Sequence, residues 1–549
     1  MGFLDDVTKL ISNIPFVEKA YDFVEEKLQI RGKVIISFKE LEKPLEFEIV
    51  VFKCYPLKYN DADSIKFKNS NLIEYRHVME DGAICIHTTH HTNLKSKLNY
   101  DFHSLRNWIV KYYINKEQDD HYEHIIVDDK LINNRYWSYQ FTDLKHPFEK
   151  GEFGEVSITS IQLGTFKSNL ISNHIIQNFI RENGEQLECE WSQLYKNMDI
   201  TNSGAYVYIE TPPATYGKFI FTKWLDLQDH LPERFLNFLL EFQKRHIKHR
   251  GKLLPLFIGY KIDDVNLHWQ VAMLEIGDFP IIGYQLPNKK WITIPKNELD
   301  INWGITRNTS YKYFFGRGSF SQSFAEKKIL IIGVGALGSM VAKTLTRCGC
   351  RFIDIADNDI KEPENVCRSE YIFNTGLMDK TEELKFILST ISPFIETNIV
   401  DKDYFQGIIK LFHKEKGGKS SFEANLNKYD LVVDCTTDND LMYILDSLDL
   451  KCDLINLSIT NFAKELVCAF HPNTYNFVMN QFMNVLENDT SDLYNPTGCW
   501  SPTFKASYND ISLLVQMAIK HIHNLYETGS RKTNFIIEND SSNLKIVEY

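Results

Sequence analysis

The sequence predicts an α/β fold for the C-terminal part of this chain, and three observations support that prediction. An apolar strand over residues 329–332 runs directly into a glycine-rich turn at residues 333–338 and then into a helical pattern. A second apolar strand stops at Asp357, and a third spans residues 431–433. Apolar strands that alternate with helices in this way are typical of a largely parallel sheet.

The glycine-rich turn is the first candidate for ligand binding. Gly333, Gly335 and Gly338 permit a tight turn and let backbone N–H groups approach a phosphate at the start of a helix. The acids after the next strand, Asp357 and Asp359, suit a ribose hydroxyl. By itself this pattern is weak, because it could serve a dinucleotide, a mononucleotide or packing alone.

The residues that follow the glycine-rich turn indicate which kind of nucleotide-binding enzyme the pattern favours. Asn365, Arg368 and Lys380 come next in order, and Asp438 follows the third strand. A dehydrogenase needs no Arg, Lys and second Asp beside its nucleotide. An enzyme that attacks the α-phosphate of ATP with a carboxylate does need them, since cations neutralise phosphate charge and an Asp holds Mg²⁺ against the leaving pyrophosphate.

This ordered set resembles that of the ThiF/MoeB adenylyltransferases, the ancestral form of ubiquitin-activating (E1-like) enzymes. The resemblance covers residues 321–549 and implies a Rossmann-like adenylation domain with a mixed sheet that uses ATP and Mg²⁺. It implies that Asp357 and Asn365 position the nucleotide and that Arg368 and Lys380 contact its phosphates. Asp438 would hold the metal.

The chain departs from the family pattern in two places. An additional Thr precedes Asp438, and a polar insertion at residues 413–427 is predicted to be a surface loop. The family also takes an arginine from just before the first strand, often from the partner subunit of a homodimer. Arg317 is the candidate here, and Arg307 is the second choice.

Cys499 is the first of two cysteines whose sequence context does not predict a buried core position. It lies in the Gly/Pro-rich run NPTGCWSPTF, before a helix predicted over residues 510–525. A thiol near a helix start can be exposed and can have its pKa lowered. The run resembles bacterial activating enzymes that pass their acyl group to a cysteine near the C-terminus. A buried loop cysteine is the alternative.

Cys85 is the second. The segment Gly82-Ala-Ile-Cys85-Ile resembles the active-site segment Gly-x-Ile-Cys-Leu of ubiquitin-conjugating (E2-like) enzymes. Those enzymes carry His-Pro-Asn upstream, whose Asn stabilises the oxyanion during transfer. That tripeptide is absent here, and His77 stands near where the Asn would fall. The alternative is a buried strand cysteine.

The flanks of Cys85 agree with an α+β E2-like domain. The patterns predict an amphipathic helix over residues 17–28, strands over 33–38 and 45–55, and a helix over 102–113. Histidines at positions 87, 90 and 91 invite a metal site, but polar loop residues beside the thiol are the favoured interpretation.

Composition limits the classes of protein to which this chain can belong. The chain has 549 residues, a net charge of −12 and 43% hydrophobic residues, which fits a globular protein and argues against nucleic-acid binding. No apolar run approaches the length of a membrane span. Ten cysteines without a CxxC pair or a signal peptide favour reduced thiols and a cytoplasmic location.

These observations together predict three domains: an E2-like domain over 1–145, a connecting or partner-recognition domain over 146–320, and the adenylation domain over 321–549. This arrangement resembles the activating–conjugating fusions of CBASS anti-phage operons. That family ligates the C-terminus of a cGAS-like nucleotidyltransferase to a target amine. Conjugation of a ubiquitin-like protein, sulfur-carrier adenylation, a non-catalytic adaptor and a nicotinamide dehydrogenase are the other hypotheses.

Overall fold

The computed structural model describes the chain except residues 1, 61, 87, 118–124, 126, 263–265, 288, 290, 297–298, 413–417, 486–504 and 541–542. Its contacts divide the chain into two compact units. Residues 1–136, 148–153 and 205–305 form the first unit, and residues 137–147, 154–204 and 306–549 form the second.

The N-terminal elements include a four-stranded antiparallel meander in which neighbours in sequence pair in order. They are α1 (Phe3–Ser12), β1 (Val17–Glu25), β2 (Gln29–Ile36), β3 (Leu45–Phe52), β4 (Ile65–Lys68), a 3-10 turn (Ser70–Leu72), α2 (Leu94–Trp108), a π-helical turn (Ile109–Ile114) and β5 (Tyr136–Phe141). Helix α2 packs on the sheet, where Phe102 meets Phe67 edge to face at a centroid distance of 4.9 Å. Both side chains are fully buried.

The prediction of a helix over residues 17–28 is wrong. Helix α1 ends at Ser12, and the following residues form β1 at the edge of the meander. Most of that strand is exposed or half-buried, and its acidic residues Glu18, Asp22 and Glu25 lie three or four positions apart. Such spacing can be mistaken for the polar face of an amphipathic helix.

The middle of the chain contributes to both units. Its elements are β6 (Phe153–Phe166), β7 (Asn169–Arg181), β8 (Gln186–Glu188), α3 (Gln193–Lys196), β9 (Asn202–Glu210), β10 (Ala214–Thr215), β11 (Phe219–Ile220), α4 (Trp224–Gln228), α5 (Glu233–His246), a 3-10 turn (Ile247–His249), β12 (Leu253–Lys261), β13 (Leu267–Glu275), β14 (Ile281–Gln285), β15 (Trp291–Pro295) and β16 (Trp303–Asn308). In the first unit, β12 pairs with β9 in parallel and with β13 antiparallel. The apolar face of α5, including Phe235 and Leu239, packs in the same buried cluster as Leu256 of β12.

The β6–β7 hairpin belongs to the second unit instead. The Trp191 indole that follows it donates to the carbonyl of Ile176 (2.6 Å) and stacks on Phe394, 6.0 Å between ring centroids. The backbone N–H of Ser192 donates to the carbonyl of Pro393 (2.8 Å). Residues 154–204 therefore pack with the C-terminal part of the chain.

The C-terminal part forms a seven-stranded sheet in the order β18-β17-β19-β20-β21-β22-β23. Its elements are α6 (Tyr311–Phe315), α7 (Gln322–Ala325), β17 (Lys328–Ile332), α8 (Ala336–Arg347), β18 (Phe352–Ala356), 3-10 turns (Pro363–Arg368 and Phe373–Thr375), α9 (Lys380–Ile391), α10 (Lys402–Leu411), α11 (Gly418–Leu426), β19 (Leu431–Asp434), α12 (Asn439–Asp446), β20 (Asp453–Ile459), a 3-10 turn (Asn461–Ala463), β21 (Glu465–Phe470), α13 (Thr474–Val485), α14 (Tyr508–Thr528), β22 (Phe535–Asp540) and β23 (Asn543–Glu548). The first four strands of that order are parallel and the rest antiparallel, so the predicted α/β fold with a mixed sheet is confirmed.

The prediction of a surface loop over residues 413–427 is wrong where the structure describes it. Residues 418–426 form α11, which buries Phe422 and Leu426 in a cluster with Leu330 of the sheet. Two apolar residues one helical turn apart are enough to anchor an otherwise polar helix.

The three-domain prediction with boundaries at 145 and 320 stays a prediction. Within the described part of the chain, none of the helices combines the length and apolar composition needed to span a bilayer.

Candidate active site

A cleft of about 480 Å³ lies at the carboxyl ends of β17, β18 and β19. Among the residues predicted to bind ligand, it is lined by Gly333, Gly335, Asp357, Asp359, Lys380 and Asp438. Parallel strands end at the same edge of a sheet, so groups separated by more than a hundred residues meet here. The opening can hold a nucleotide-sized molecule.

Two glycines, Gly333 and Gly338, shape the turn between β17 and α8. Gly333 has φ +80°, and a Cβ there would lie 2.8 Å from the Cα of Thr436. A Cβ on Gly338 would lie 1.9 Å from the carbonyl oxygen of Gly333. Neither position tolerates a side chain, so strand β17 turns sharply into α8 and places the helix N-terminus at the cleft.

Asp357 is fixed by the glycine turn. Its carboxylate accepts the backbone N–H of Val334 (2.7 Å) through one oxygen and that of Asp359 (2.9 Å) through the other. Burial raises the pKa of this carboxyl, although the nearby Lys380 ammonium and both hydrogen bonds lower it. A carboxylate at this depth is placed to accept hydroxyl groups of a sugar.

Lys380 also lines the cleft, at the start of α9. Its ammonium is 2.5 Å from the carboxylate of Asp359, and its backbone N–H donates to the carbonyl of that residue (3.1 Å). The Lys380 side chain is only 12% exposed. The pair therefore holds a cation at the wall of the cleft, where it can meet phosphate charge.

Asp438 caps helix α12. One of its carboxylate oxygens accepts the N–H groups of Asp440 and Leu441, both at 3.0 Å. The additional Thr noted in the sequence, Thr437, adopts φ +60°, a conformation that costs energy for a β-branched side chain. Thr437 and Asp438 both line the cleft.

The few carboxylates at the cleft suit Mg²⁺ better than a metal ion that needs a complete set of protein ligands. Among the described residues, no group of three or more His, Cys, Asp or Glu is arranged to hold a metal ion. Mg²⁺ commonly takes one or two protein carboxylates and completes its shell with phosphate oxygens and water. Asp438, whose second carboxylate oxygen takes no part in the capping bonds, meets that need.

A buried ion pair that sequence reasoning missed supports this wall. Lys361 and Glu383 lie 2.6 Å apart with side chains 2% and 0% exposed. Glu383 accepts the N–H of Ile372 (2.8 Å), and Lys361 donates to the carbonyl of the same residue (2.8 Å). The pair ties the segment between Asp359 and Lys380 to α9. A lone Lys and Glu far apart in sequence give no motif that could reveal it.

A second missed group is Asp434, the last residue of β19. It is 1% exposed and accepts hydrogen bonds from the Thr436 hydroxyl (2.7 Å) and from the Asn456 amide (2.8 Å). Burial raises the pKa of its carboxyl. Helix α10 adds Phe405, Gln406 and Ile409 to the lining, again without a sequence signal beyond its amphipathic pattern.

Other predicted site residues do not line the cleft. Gly338 is buried beneath the turn. The side chain of Asn365 accepts the N–H of Glu362 (2.9 Å) and so stabilises its own 3-10 turn. Arg368 is half-buried at the end of that turn, and both Arg317 and Arg307 are exposed.

The structure describes one of the two candidate thiols, that of Cys85. Cys499 lies outside the described residues. Cys85 is exposed on the segment between β4 and α2, and its backbone N–H donates to the carbonyl of His77 (2.7 Å). The predicted alternative of a buried strand cysteine is therefore wrong for Cys85. Cys435 and Cys468 are buried, and burial raises the pKa of both thiols.

Comparison with known proteins relates the C-terminal region to a family. Residues 307–476 match the ThiF family, which is the family that the resemblance implied for this region. The chain is 27% identical over 245 residues to the ATP-dependent ubiquitin transferase-like protein Cap2 of Enterobacter hormaechei subsp. hoffmannii. That match covers 42% of this chain and 38% of the relative.

Other relatives match shorter segments. Ubiquitin-like modifier-activating enzyme 5 of Caenorhabditis elegans is 31% identical over 115 residues, which is 20% of this chain and 26% of that protein. The solved structure of E. coli MccB with ATP aligns with 41% of this chain and 64% of its own, at 16% identity and a TM-score of 0.30. The chain spans less than two fifths of the length of each of these curated relatives.

Proposed function

We propose that this chain uses ATP to activate the C-terminal carboxyl group of a partner protein and then transfers that acyl group through thioesters to an amine. The observation that carries the proposal is the cleft itself, which brings a glycine turn, Asp357, Lys380 and Asp438 to one edge of the sheet. The ThiF match and the Cap2 relative support the same chemistry.

Activation is needed because a carboxylate is a poor acyl donor. Its oxygen attacks the α-phosphorus of ATP, and the bond to the bridging oxygen breaks to release pyrophosphate. In this proposal Asp357 binds the ribose, and the α8 N-terminus and Lys380 face the phosphates. Arg368 and Asn365 lie on the adjoining turn, outside the cleft lining, and would have to move to reach the bound nucleotide. Asp438 would hold a Mg²⁺ ion, which neutralises the developing charge on the leaving group.

The acyl group then moves to sulfur. The Cys499 thiolate attacks the acyl carbon, the carbon–oxygen bond to AMP breaks, and AMP leaves. The Cys85 thiolate repeats this exchange and regenerates the first thiol. A target amine finally attacks the second thioester, loses a proton and forms an amide as the Cys85 thiol departs.

The N-terminal meander supports the second thioester step. A helix, four antiparallel strands in sequence order, an exposed cysteine and a second helix follow one another, which is the order expected of an E2-like domain. The exposed position of Cys85 meets the requirement that a large acyl-bearing partner reach the thiol.

The partner is proposed by class. A cGAS-like nucleotidyltransferase with an extended C-terminus, in a CBASS anti-phage system, is the first candidate, and a ubiquitin-like protein is the second. A homodimer, in which Arg317 of one copy completes the cleft of the other, is part of the proposal. Loss of activity in Arg317→Ala that mixing with a Lys380→Ala chain restores would demonstrate it.

Thioester trapping tests the relay. The full chain is incubated with ATP, Mg²⁺ and the protein encoded beside it, and adducts are separated with and without a reducing thiol. Cys499→Ala should abolish every thiol-sensitive adduct, whereas Cys85→Ala should leave one. Cys367→Ala, which removes another exposed cysteine, is the matched control and should behave as wild type. Full conjugation by Cys85→Ala would contradict the transfer step.

A sulfur-carrier adenylyltransferase is the second candidate function. The chain is 26% identical over 149 residues to the adenylyltransferase and sulfurtransferase UBA4 of Lodderomyces elongisporus. That reading needs no second transfer thiol, so sulfide incorporation by Cys85→Ala at the wild-type rate would favour it.

A further inference from the structure

The backbone that holds Cys85 has an unusual conformation. Its N–H donates to the carbonyl of His77, which adopts φ +59°. A left-handed conformation at a residue other than glycine costs energy and persists only when the surroundings enforce it. The His77 ring packs on Tyr112 at a centroid distance of 4.7 Å. Further contacts on both sides of His77 hold the turn.

Lys218 supplies two of those contacts. It lies at the tip of the short β10–β11 hairpin, far from Cys85 in sequence but in the same compact unit. The residue is only 5% exposed, and its ammonium donates to the carbonyls of Tyr75 (2.5 Å) and Val78 (2.9 Å). These carbonyls flank His77 on either side. Hydrogen bonds from a buried ammonium are stronger than neutral ones.

Helix α2 supplies a third contact. The Trp108 indole N–H donates to the carbonyl of Arg76 (3.0 Å). Four consecutive carbonyls, those of residues 75–78, therefore each accept a hydrogen bond, and one of these bonds is the one from Cys85. With every acceptor satisfied, the turn has little freedom to move.

The segment after Cys85 is held in a similar way. The Thr88 hydroxyl donates to Asp101, a fully buried carboxylate on α2. Asp101 is also paired with Lys97 and accepts the Tyr55 hydroxyl (2.7 Å). Buried charges on the first unit thus hold the chain on both sides of an exposed thiol.

We propose that Lys218 is a positioning residue for the Cys85 thiol: it fixes the turn whose His77 carbonyl holds the Cys85 backbone. The hairpin 214–220 thereby couples the connecting region of the chain to the transfer site. That the fixed thiol accepts an acyl group rests on the proposed function, whereas the positioning itself does not.

Hydrogen exchange of the full chain tests the positioning directly. Lys218→Met should raise the exchange rate of the Cys85 amide at least tenfold and leave the amides of β3 within twofold of wild type. Lys223→Met, which removes an exposed lysine three residues beyond β11, should change neither. Unchanged Cys85 exchange in a folded Lys218→Met protein would overturn the proposal.

A conservative variant covers the case in which Lys218→Met also loses β3 protection. Lys218→Gln keeps an N–H donor but loses length and charge, so a smaller rise in Cys85 exchange, about threefold, is expected. No rise in that variant would equally overturn the proposal.

Acyl transfer gives a separate readout. In a single turnover, Lys218→Met should slow acylation of Cys85 at least tenfold, while the thioester that forms before it should accumulate at the wild-type rate. If wild-type Cys85 never takes an acyl group, the proposed function fails, and hydrogen exchange still decides whether Lys218 positions the residue.

Discussion

The cleft at the carboxyl ends of β17, β18 and β19 and the Cys85 segment differ in how the chain brings their residues together. In the cleft, the candidate ligand-binding residues lie near strand ends and occur in a recognisable order, because a parallel sheet gathers its carboxyl ends at one edge. At Cys85, a short motif supplies a single thiol, and remote residues such as Lys218 and Asp101 hold it. Groups that touch a ligand leave a motif, whereas groups that position them do not.

The largest expected effect is on the free energy of unfolding. We expect it when a buried ion pair near the cleft is broken, and not when an exposed pair near Cys85 is broken. Lys361→Met leaves the fully buried Glu383 carboxyl without its ion-pair partner, so it should lower the free energy of unfolding by about 3–5 kcal/mol. Lys68→Met breaks the exposed pair with Asp81 and should cost at most about 1 kcal/mol. Urea unfolding measures both, and equal losses would contradict the contrast.

The glycine turn should show the next largest effect. An alanine Cβ at Gly338 would overlap the Gly333 carbonyl, so Gly338→Ala should destabilise the second unit by about 3 kcal/mol or more. Nothing lies within 4 Å of a Cβ at Gly335, so Gly335→Ala should keep the fold and weaken ATP binding instead. Thermal unfolding and calorimetric titration separate the two outcomes. Similar melting temperatures for both variants would show that the turn is not as tightly packed as described.

Lys380 tests the cleft as an anion site. Lys380→Ala should weaken ATP binding by about 1.5–3 kcal/mol, because a hydrogen bond to a charged group usually contributes that much free energy. Lys385→Ala, on the exposed face of the same helix, should leave the affinity within error of wild type. Calorimetric titration of each variant with ATP and Mg²⁺ measures the difference. A wild-type affinity in Lys380→Ala would remove this residue from the phosphate site.

The smallest effect is a difference in pH dependence. Burial raises the pKa of Asp357, so its ionisation disfavours the folded state as pH rises from 3.8 through the raised value. Asp81 behaves in the opposite way, because its hydrogen bond with Lys68 lowers the pKa of its carboxyl. The stability that this carboxylate contributes is present above pH 3.8 and is lost as pH falls through the lowered value.

Asn variants isolate these slopes. Relative to wild type, Asp357→Asn should gain stability as pH rises through its window, and Asp81→Asn should recover stability as pH falls through its own. Urea unfolding at a series of pH values checks both. Slopes of the same sign would contradict the opposite environments of the two carboxylates.

Sequence reasoning succeeded where chemistry repeats in order and failed where packing decides. Asp357, Lys380 and Asp438 could be predicted to converge because each follows a strand or a turn of a known pattern. The strand at residues 17–25 could not, since an exposed edge strand and a polar helix face share the same spacing of charges. Lys361, Glu383 and Lys218 were invisible, because their roles depend on burial and on partners remote in sequence.

Exchange of labelled pyrophosphate into ATP tests the central claim most directly. The full chain with Mg²⁺ and the intact partner protein should catalyse exchange, and the same partner with its terminal carboxyl converted to an amide should support none. Cys499→Ala and Cys85→Ala should exchange at the wild-type rate, because adenylation precedes both thioesters. Failure of every candidate partner to support exchange would contradict the assignment of the cleft to carboxyl activation.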